Sequence, residues 1–138
     1  LTYKVVNGIV DFGNRAQLGK IIGTGGNIEA HHIIPWLKGG QHKVVQDAAR
    51  AGFHLNMIEN GIGLQKYTKL IGEGLHGNHP AYDKYVTNAL DVFRNKGYDT
   101  EAAKDFLLNN LIPDLKNKII LAKNSGLNLN DYFKTLIN

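Results

Sequence analysis

The residues with the most chemistry to offer are histidines in two tight groups. His31 and His32 are adjacent, His76 and His79 are separated by two residues, and these four are drawn from a total of six. The chain has no cysteine, so thiolate ligands and disulfides are excluded, and a bound metal must use His, Asp, Glu, Asn or backbone oxygen. Neutral imidazoles in that number can hold one divalent cation and leave one ring to move a proton. Hydrolysis of a phosphodiester calls for such a set: an activated water, and a positive centre to stabilise charge on the phosphorane and the leaving oxygen. A lone His-His pair arises easily by chance, and the second cluster is what turns the reading towards a site. His42 and His54 stand singly, one before a helix and one in a helix-exit loop, and stay outside the catalytic set.

The elements that carry these groups follow from turn chemistry and periodicity. Val5-Val6 and Ile9-Val10 flank Asn7-Gly8, the dipeptide best suited to a tight hairpin. Arg15 to Ile22 reads as a short helix stopped by Gly23-Thr24-Gly25-Gly26. Glu29 to Pro35 reads as a strand, because it is rich in β-branched residues and Pro35 biases Ile34 towards extended geometry. Neighbours on a strand point to opposite faces, so His31 and His32 are expected to do different jobs. Lys43 to Ala51 is a helix candidate stopped by Gly52, and Asn56 to Lys66 a turn leading into a second short strand. Asn60-Gly61 by itself suits a type I′ turn.

Pro80 suits the first turn of a helix running to about Asn95. Its stripe of Tyr82, Tyr85, Val86, Ala89, Leu90 and Phe93 follows helical period and reads as core rather than a platform for stacking bases. Another helix starts near Thr100 as N-cap, is expected to break or kink at Pro113, and resumes to a stop at Gly126; a final helix is expected over Asp131 to Leu136.

A chain of 138 residues fits one domain, and 43% apolar with 20% charged residues is an ordinary globular composition. Sixteen Lys and Arg against twelve Asp and Glu give +4 and a pI near 9.3, a bias that favours a polyanionic partner. Arg15, Lys20, Lys38, Lys43, Arg50, Lys66, Lys69 and Lys84 surround the histidine motifs in sequence, whereas Lys116, Lys118 and Lys123 read as an ordinary solvated helix surface. No apolar run reaches the roughly 18 residues a membrane span needs, and Leu1 to Asp11 lack a basic n-region followed by an apolar core. A first residue of Leu rather than Met suggests a piece of a longer polypeptide.

Four motifs occur in one order: Ala30-His31-His32-Ile33-Ile34-Pro35, Gly52-Phe53-His54-Leu55-Asn56, Asn60-Gly61-Ile62, and His76-Gly77-Asn78-His79-Pro80-Ala81-Tyr82. Together, over about residues 15 to 90, they resemble the AHH family of the HNH nuclease superfamily. The resemblance implies a mostly helical α+β fold: a single domain over 1–138, with a ββα-metal core over roughly 28–95 and a helical extension over 99–138. It implies that His31 is a metal ligand, His32 the general base, and His76 and His79 further ligands. Asn60 matches the family's central asparagine, which either orients the base through a side-chain hydrogen bond or helps bind the metal, orientation being the reading favoured here. Gln65 departs from the proline usual after the leucine of the asparagine-glycine motif.

The implied activity is metal-dependent hydrolysis of DNA, with RNA as the lesser alternative and little sequence specificity, since phosphate contacts carry no base information. The metal is one of Mg²⁺, Mn²⁺, Zn²⁺ or Ni²⁺, and three imidazoles lean towards a transition metal. The resemblance also implies a bacterial polymorphic toxin, its nuclease released from a secreted carrier into a target cell's cytoplasm and restrained by a cognate immunity protein, acidic if it covers a basic groove. The free domain is expected to be a monomer. The competing class is a non-catalytic module in which the histidines hold a structural zinc and the basic surface grips nucleic acid.

Overall fold

A computed structural model describes residues 1–66 and 78–137. The fold is α+β and mostly helical, with two antiparallel two-stranded sheets among the described residues. Strands β1 (Lys4–Val6) and β2 (Ile9–Asp11) form the expected hairpin, with Val6 opposite Ile9. Asn7 and Gly8 take the positive φ values, 53° and 78°, that a tight two-residue turn with the strands' own twist demands. Helix α1 (Gln17–Ile22) ends at Gly23, whose φ of 74° continues no right-handed helix.

Strand β3 (Ile28–His32) pairs with β4 (Gly61–Gln65) in a register that sets His31 opposite Ile62 and His32 opposite Gly61. The strand ends at His32, short of the expected Pro35, because Pro35 caps a helix that periodicity did not show, α2 (Trp36–Gly40). Gly39-Gly40 looks like a breaker, yet a Cβ on Gly39 would lie 2.7 Å from Ile34 Cγ2, so the glycine is there for close approach. Helix α3 (Lys43–Arg50) follows, with the His42 ring accepting from Val44 N as its cap. Asn60-Gly61 makes no I′ turn: Ile58–Asn60 is one 3₁₀ turn, and Gly61 is extended at φ −122°, starting β4 directly.

Helix α4 (Pro80–Arg94) has Pro80 at its start, and its Tyr82, Val86 and Leu90 are buried as expected of a core stripe. Helix α5 (Thr100–Phe106) is capped by Asp99, not Thr100, the carboxylate accepting from Ala102 N at 2.8 Å. Pro113 does not break the chain's path. A π turn over Leu107–Leu111 joins α5 directly to α6 (Ile112–Ser125), and Pro113 falls at the start of that new segment. The wider turn is a way to place a residue that lacks an N–H and whose ring would strike the carbonyl four residues back. Helix α7 (Leu129–Lys134) begins two residues earlier than expected, because Asn128 rather than a later residue caps it, accepting from Asp131 N.

The core joins these pieces around α4, which lies against α7, while α3 lies against α5. Ile33 and Ile34, directly after the histidine pair, are fully buried in it. Tyr82 is buried too, and its hydroxyl donates to Ile33 O at 2.6 Å, fastening α4 to the end of β3. Among the described residues no helix is long and apolar enough to cross a membrane. A close approach to the sheet occurs at Gly61, where an added Cβ would meet Leu18 Cδ1 at 2.6 Å and Cγ at 3.2 Å, and Leu18 is fully buried. Gly61→Ala should therefore lower stability by about 1–3 kcal/mol through overpacking, seen as a lower urea midpoint at unchanged slope.

Candidate active site

Where β3 ends, α4 starts and α2 crosses, they leave a cleft of about 260 Å³ bordered by Arg15, His31, His32, Lys38, His79 and Asp83. The two adjacent histidines border it with different neighbours. The His31 ring packs edge-on against His79 at 5.1 Å and Tyr82 at 4.8 Å, both from α4 or the residue that caps it. The His32 ring lies 5.2 Å from Trp36 of α2. Strand alternation thus sends one ring towards α4 and the other towards α2, the division of surroundings expected of strand neighbours.

His32 is held by a residue that sequence reasoning did not assign. Its Nε2 lies 2.8 Å from Asn56 Oδ1. The Asn56 amide is oriented by its other end, where Nδ2 donates to Asn14 O at 3.0 Å. An amide oxygen only accepts, so His32 Nε2 carries the proton and, in the neutral ring, Nδ1 carries the lone pair. That is the state of a ring able to take a proton from water. No periodic signal could reveal this partner, because Asn56 is twenty-four residues away in an irregular loop.

Asn60 does something else. It is fully buried; its Oδ1 accepts from Ile34 N at 2.7 Å, and its Nδ2 donates to Leu55 O and Ile34 O at 2.9 and 3.3 Å. The hydrogen bond expected from Asn60 to His32 is made by Asn56 instead; Asn60 clamps the backbone just after the histidine pair to the loop that carries Asn56. Its main-chain carbonyl adds a further tie, accepting from Ile33 N at 2.8 Å.

His79 comes with a partner of its own at helical spacing. Nδ1 lies 3.0 Å from Asp83 Oδ1, one turn along α4. With Nδ1–H donating to the carboxylate, the lone pair falls on Nε2, which is how a metal-binding histidine is ordinarily oriented by a carboxylate behind it. Asp83 could have been found from sequence, since the i,i+4 pair follows once Pro80 is read as a helix start. His31 is 1% exposed with its Nε2 buried beside this ring. His76 lies outside the described residues, and among those described no three His, Asp or Glu side chains converge as a metal cluster. The donors present, two imidazoles edge to face with a carboxylate orienting one of them, fit a divalent cation in kind.

His54 borders the same loop from behind. It is 3% exposed, its Nε2 faces Thr2 O at 3.0 Å, and its Nδ1 accepts from Asn56 N at 2.9 Å. Burial pushes its pKa below the ordinary 6.5, favouring the neutral ring that these two bonds require. Burial likewise raises the Tyr82 phenol well above its usual range, so it remains a donor to Ile33 O.

A histidine with a fixed tautomer, a neighbouring imidazole pair and two flanking cations thus border one cleft. A family model for AHH, described as a nuclease family of the HNH/ENDO VII superfamily with conserved AHH, matches residues 14–119. The chain belongs to this nuclease family, and Ala30-His31-His32 supplies its namesake triplet. Neither the curated proteins nor the solved structures contain a match.

Two outcomes follow from this geometry. Asn60→Ala leaves buried backbone groups without their partner and should cost about 3 kcal/mol of stability, read as a shift in urea midpoint. The His54 contribution is complete above the unfolded-state value near 6.5 and is lost as pH falls through the lower folded-state pKa. Between pH 7 and 5 the parent should therefore lose more stability than His54→Gln, which has no proton to gain there.

Proposed function

We propose that this nuclease is a divalent-metal-dependent endonuclease that hydrolyses DNA with little sequence specificity, His32 serving as general base. The observation that carries the reading is the Asn56–His32 bond, which leaves the lone pair on Nδ1 of a ring bordering the cationic cleft. In the step, His32 Nδ1 takes a proton from water and becomes imidazolium. The water oxygen forms a bond to phosphorus, and the bond from phosphorus to one sugar oxygen breaks, the sugar oxygen leaving with the bonding pair and taking a proton from solvent. Held by His31 and His79, with His76 as the third ligand, a divalent cation would supply charge stabilisation on the phosphorane and the leaving oxygen.

The cleft is suited to a phosphate-tracking strand. Arg15 and Lys38 stand on its border, and a second hollow shares Lys38 and Asp83 with it and continues along α4 past Lys84, Thr87 and Asn88. Cations that meet phosphates position a strand without reading its bases. The same surface, in a chain of net charge +4, suits an acidic immunity protein that blocks the cleft. That partner belongs with the wider reading of residues 1–138 as one toxin domain carried out of a bacterium on a larger polypeptide and delivered to a target cell.

Incubating the parent with plasmid DNA should give nicked and linear products, and a chelator should abolish them. His32→Ala should cut about 10²–10⁴-fold more slowly; an alanine variant as fast as the parent removes His32 from the role of base. An RNA substrate in parallel decides the sugar preference, and preferential cleavage of RNA would overturn the DNA assignment.

A further inference from the structure

We propose that His54 is a positioning residue for the base, and that the segment Thr2–Tyr3 acts through it to hold His32 in its reactive tautomer. The inference rests on His32 being the base. It arises from a run of hydrogen bonds whose directions can be assigned from both ends. Thr2 O can only accept, so His54 Nε2 carries the proton and Nδ1 the lone pair. Asn56 N–H can only donate, and it donates to that Nδ1, so two independent backbone groups require the same tautomer. Asn14 O can only accept, which turns the Asn56 amide so that Oδ1 faces His32. The last member, His32, is thus left with its proton on Nε2 and its lone pair on Nδ1. Backbone groups whose polarity cannot change dictate the state of two titratable rings.

A second set of contacts runs beside the first. The Tyr3 hydroxyl donates to Phe53 O at 2.6 Å, and its ring lies 5.0 Å from His54 and 6.0 Å from Phe12. Phe12 continues to Trp36 at 6.4 Å, and Trp36 lies 5.2 Å from His32. The N-terminal segment is therefore joined to the base by polar bonds on one side and by packed rings on the other. It lies outside residues 14–119, the span matched by the nuclease family. The family match therefore covers Asn14, His54 and Asn56 but not Thr2, Tyr3 or Phe12.

Two substitutions separate the halves of the ring. In His54→Asn the side-chain oxygen takes the place of Nδ1 and can still accept from Asn56 N–H, while the reach to Thr2 is lost. In His54→Gln the longer amide can still donate to Thr2 O, while the acceptor for Asn56 is lost. Both side chains are smaller than the ring they replace, so both report any general loss of folding, followed by circular dichroism.

The measurements are kcat and KM on plasmid, and the tautomer and pKa of His32 by ¹⁵N NMR of the folded protein without substrate. We expect His54→Gln to lower kcat about tenfold or more with KM little changed, and to mix the His32 tautomers. His54→Asn, which keeps the acceptor for Asn56 and loses the reach to Thr2, should lower kcat by a smaller factor than His54→Gln and keep Nε2–H on His32. Tyr3→Ala should lower kcat in the same sense, and the double variant Tyr3→Ala/His54→Gln should lose less than the product of the single losses, because both act through one support. Parent-like kcat and His32 tautomer in His54→Gln, or equal losses in the two His54 variants, would overturn the inference. That failure is distinct from failure of the base assignment, which is read from His32→Ala alone, since the NMR signature of His32 does not depend on cleavage.

Discussion

The register between β3 and β4 is the constraint on which the rest of the site depends. A strand alternates its side chains, so a slip by one residue would exchange His31 and His32, sending the ring beside α4 to the α2 side and the reverse. Two short strands of five residues each hold a register poorly by themselves. Asn60 supplies the missing specification: its carbonyl receives Ile33 N–H and its side chain bonds the backbone of Ile34 and Leu55. Placing a buried amide there is costly unless every polar atom is satisfied, and its amide oxygen and nitrogen both find backbone partners. The Leu18 side chain closes the other side against Gly61, where only hydrogen leaves room.

With the register held, proton positions follow from groups that cannot titrate. Main-chain carbonyls and N–H groups at Thr2, Asn14 and Asn56 determine which nitrogen of His54 and His32 carries hydrogen. The arrangement puts the proton on Nε2 of His32 and the lone pair on Nδ1, with the Asn56 amide oxygen as the acceptor. A carboxylate stands behind His79, where it orients the ring of a candidate ligand. Two histidines in one cleft are thus oriented by different groups, an amide in one case and a carboxylate in the other.

Aromatic packing gives the cleft its rigidity. His31, His79 and Tyr82 meet edge to face, with centroids 4.8 to 5.3 Å apart, and the Tyr82 hydroxyl is tied to Ile33 O. Such contacts suit rings that present a positive edge to a negative face. They also connect the site to the core, because Tyr82 continues to Phe133 of α7 at 4.7 Å. The C-terminal helices, which carry no site residue, in this way support the helix that does.

Much of this was legible in the residues alone. The Asn7-Gly8 hairpin, the helix after Pro80 with its buried stripe, the mostly helical α+β class and the AHH triplet are all properties of short windows, where turn chemistry and period act locally. What only the tertiary structure decided lies between windows. Asn60-Gly61 has the composition of a turn yet clamps two loops, and Pro113 has the chemistry of a break yet follows a π turn, because packing overrides local preference at both. Asn56 reaches His32, and His54 reaches Thr2, across 24 and 52 residues of sequence. Sequence determined which side chains can carry protons and metal; folding alone decided which nitrogen each one offers, because that depends on backbone groups brought from far along the chain.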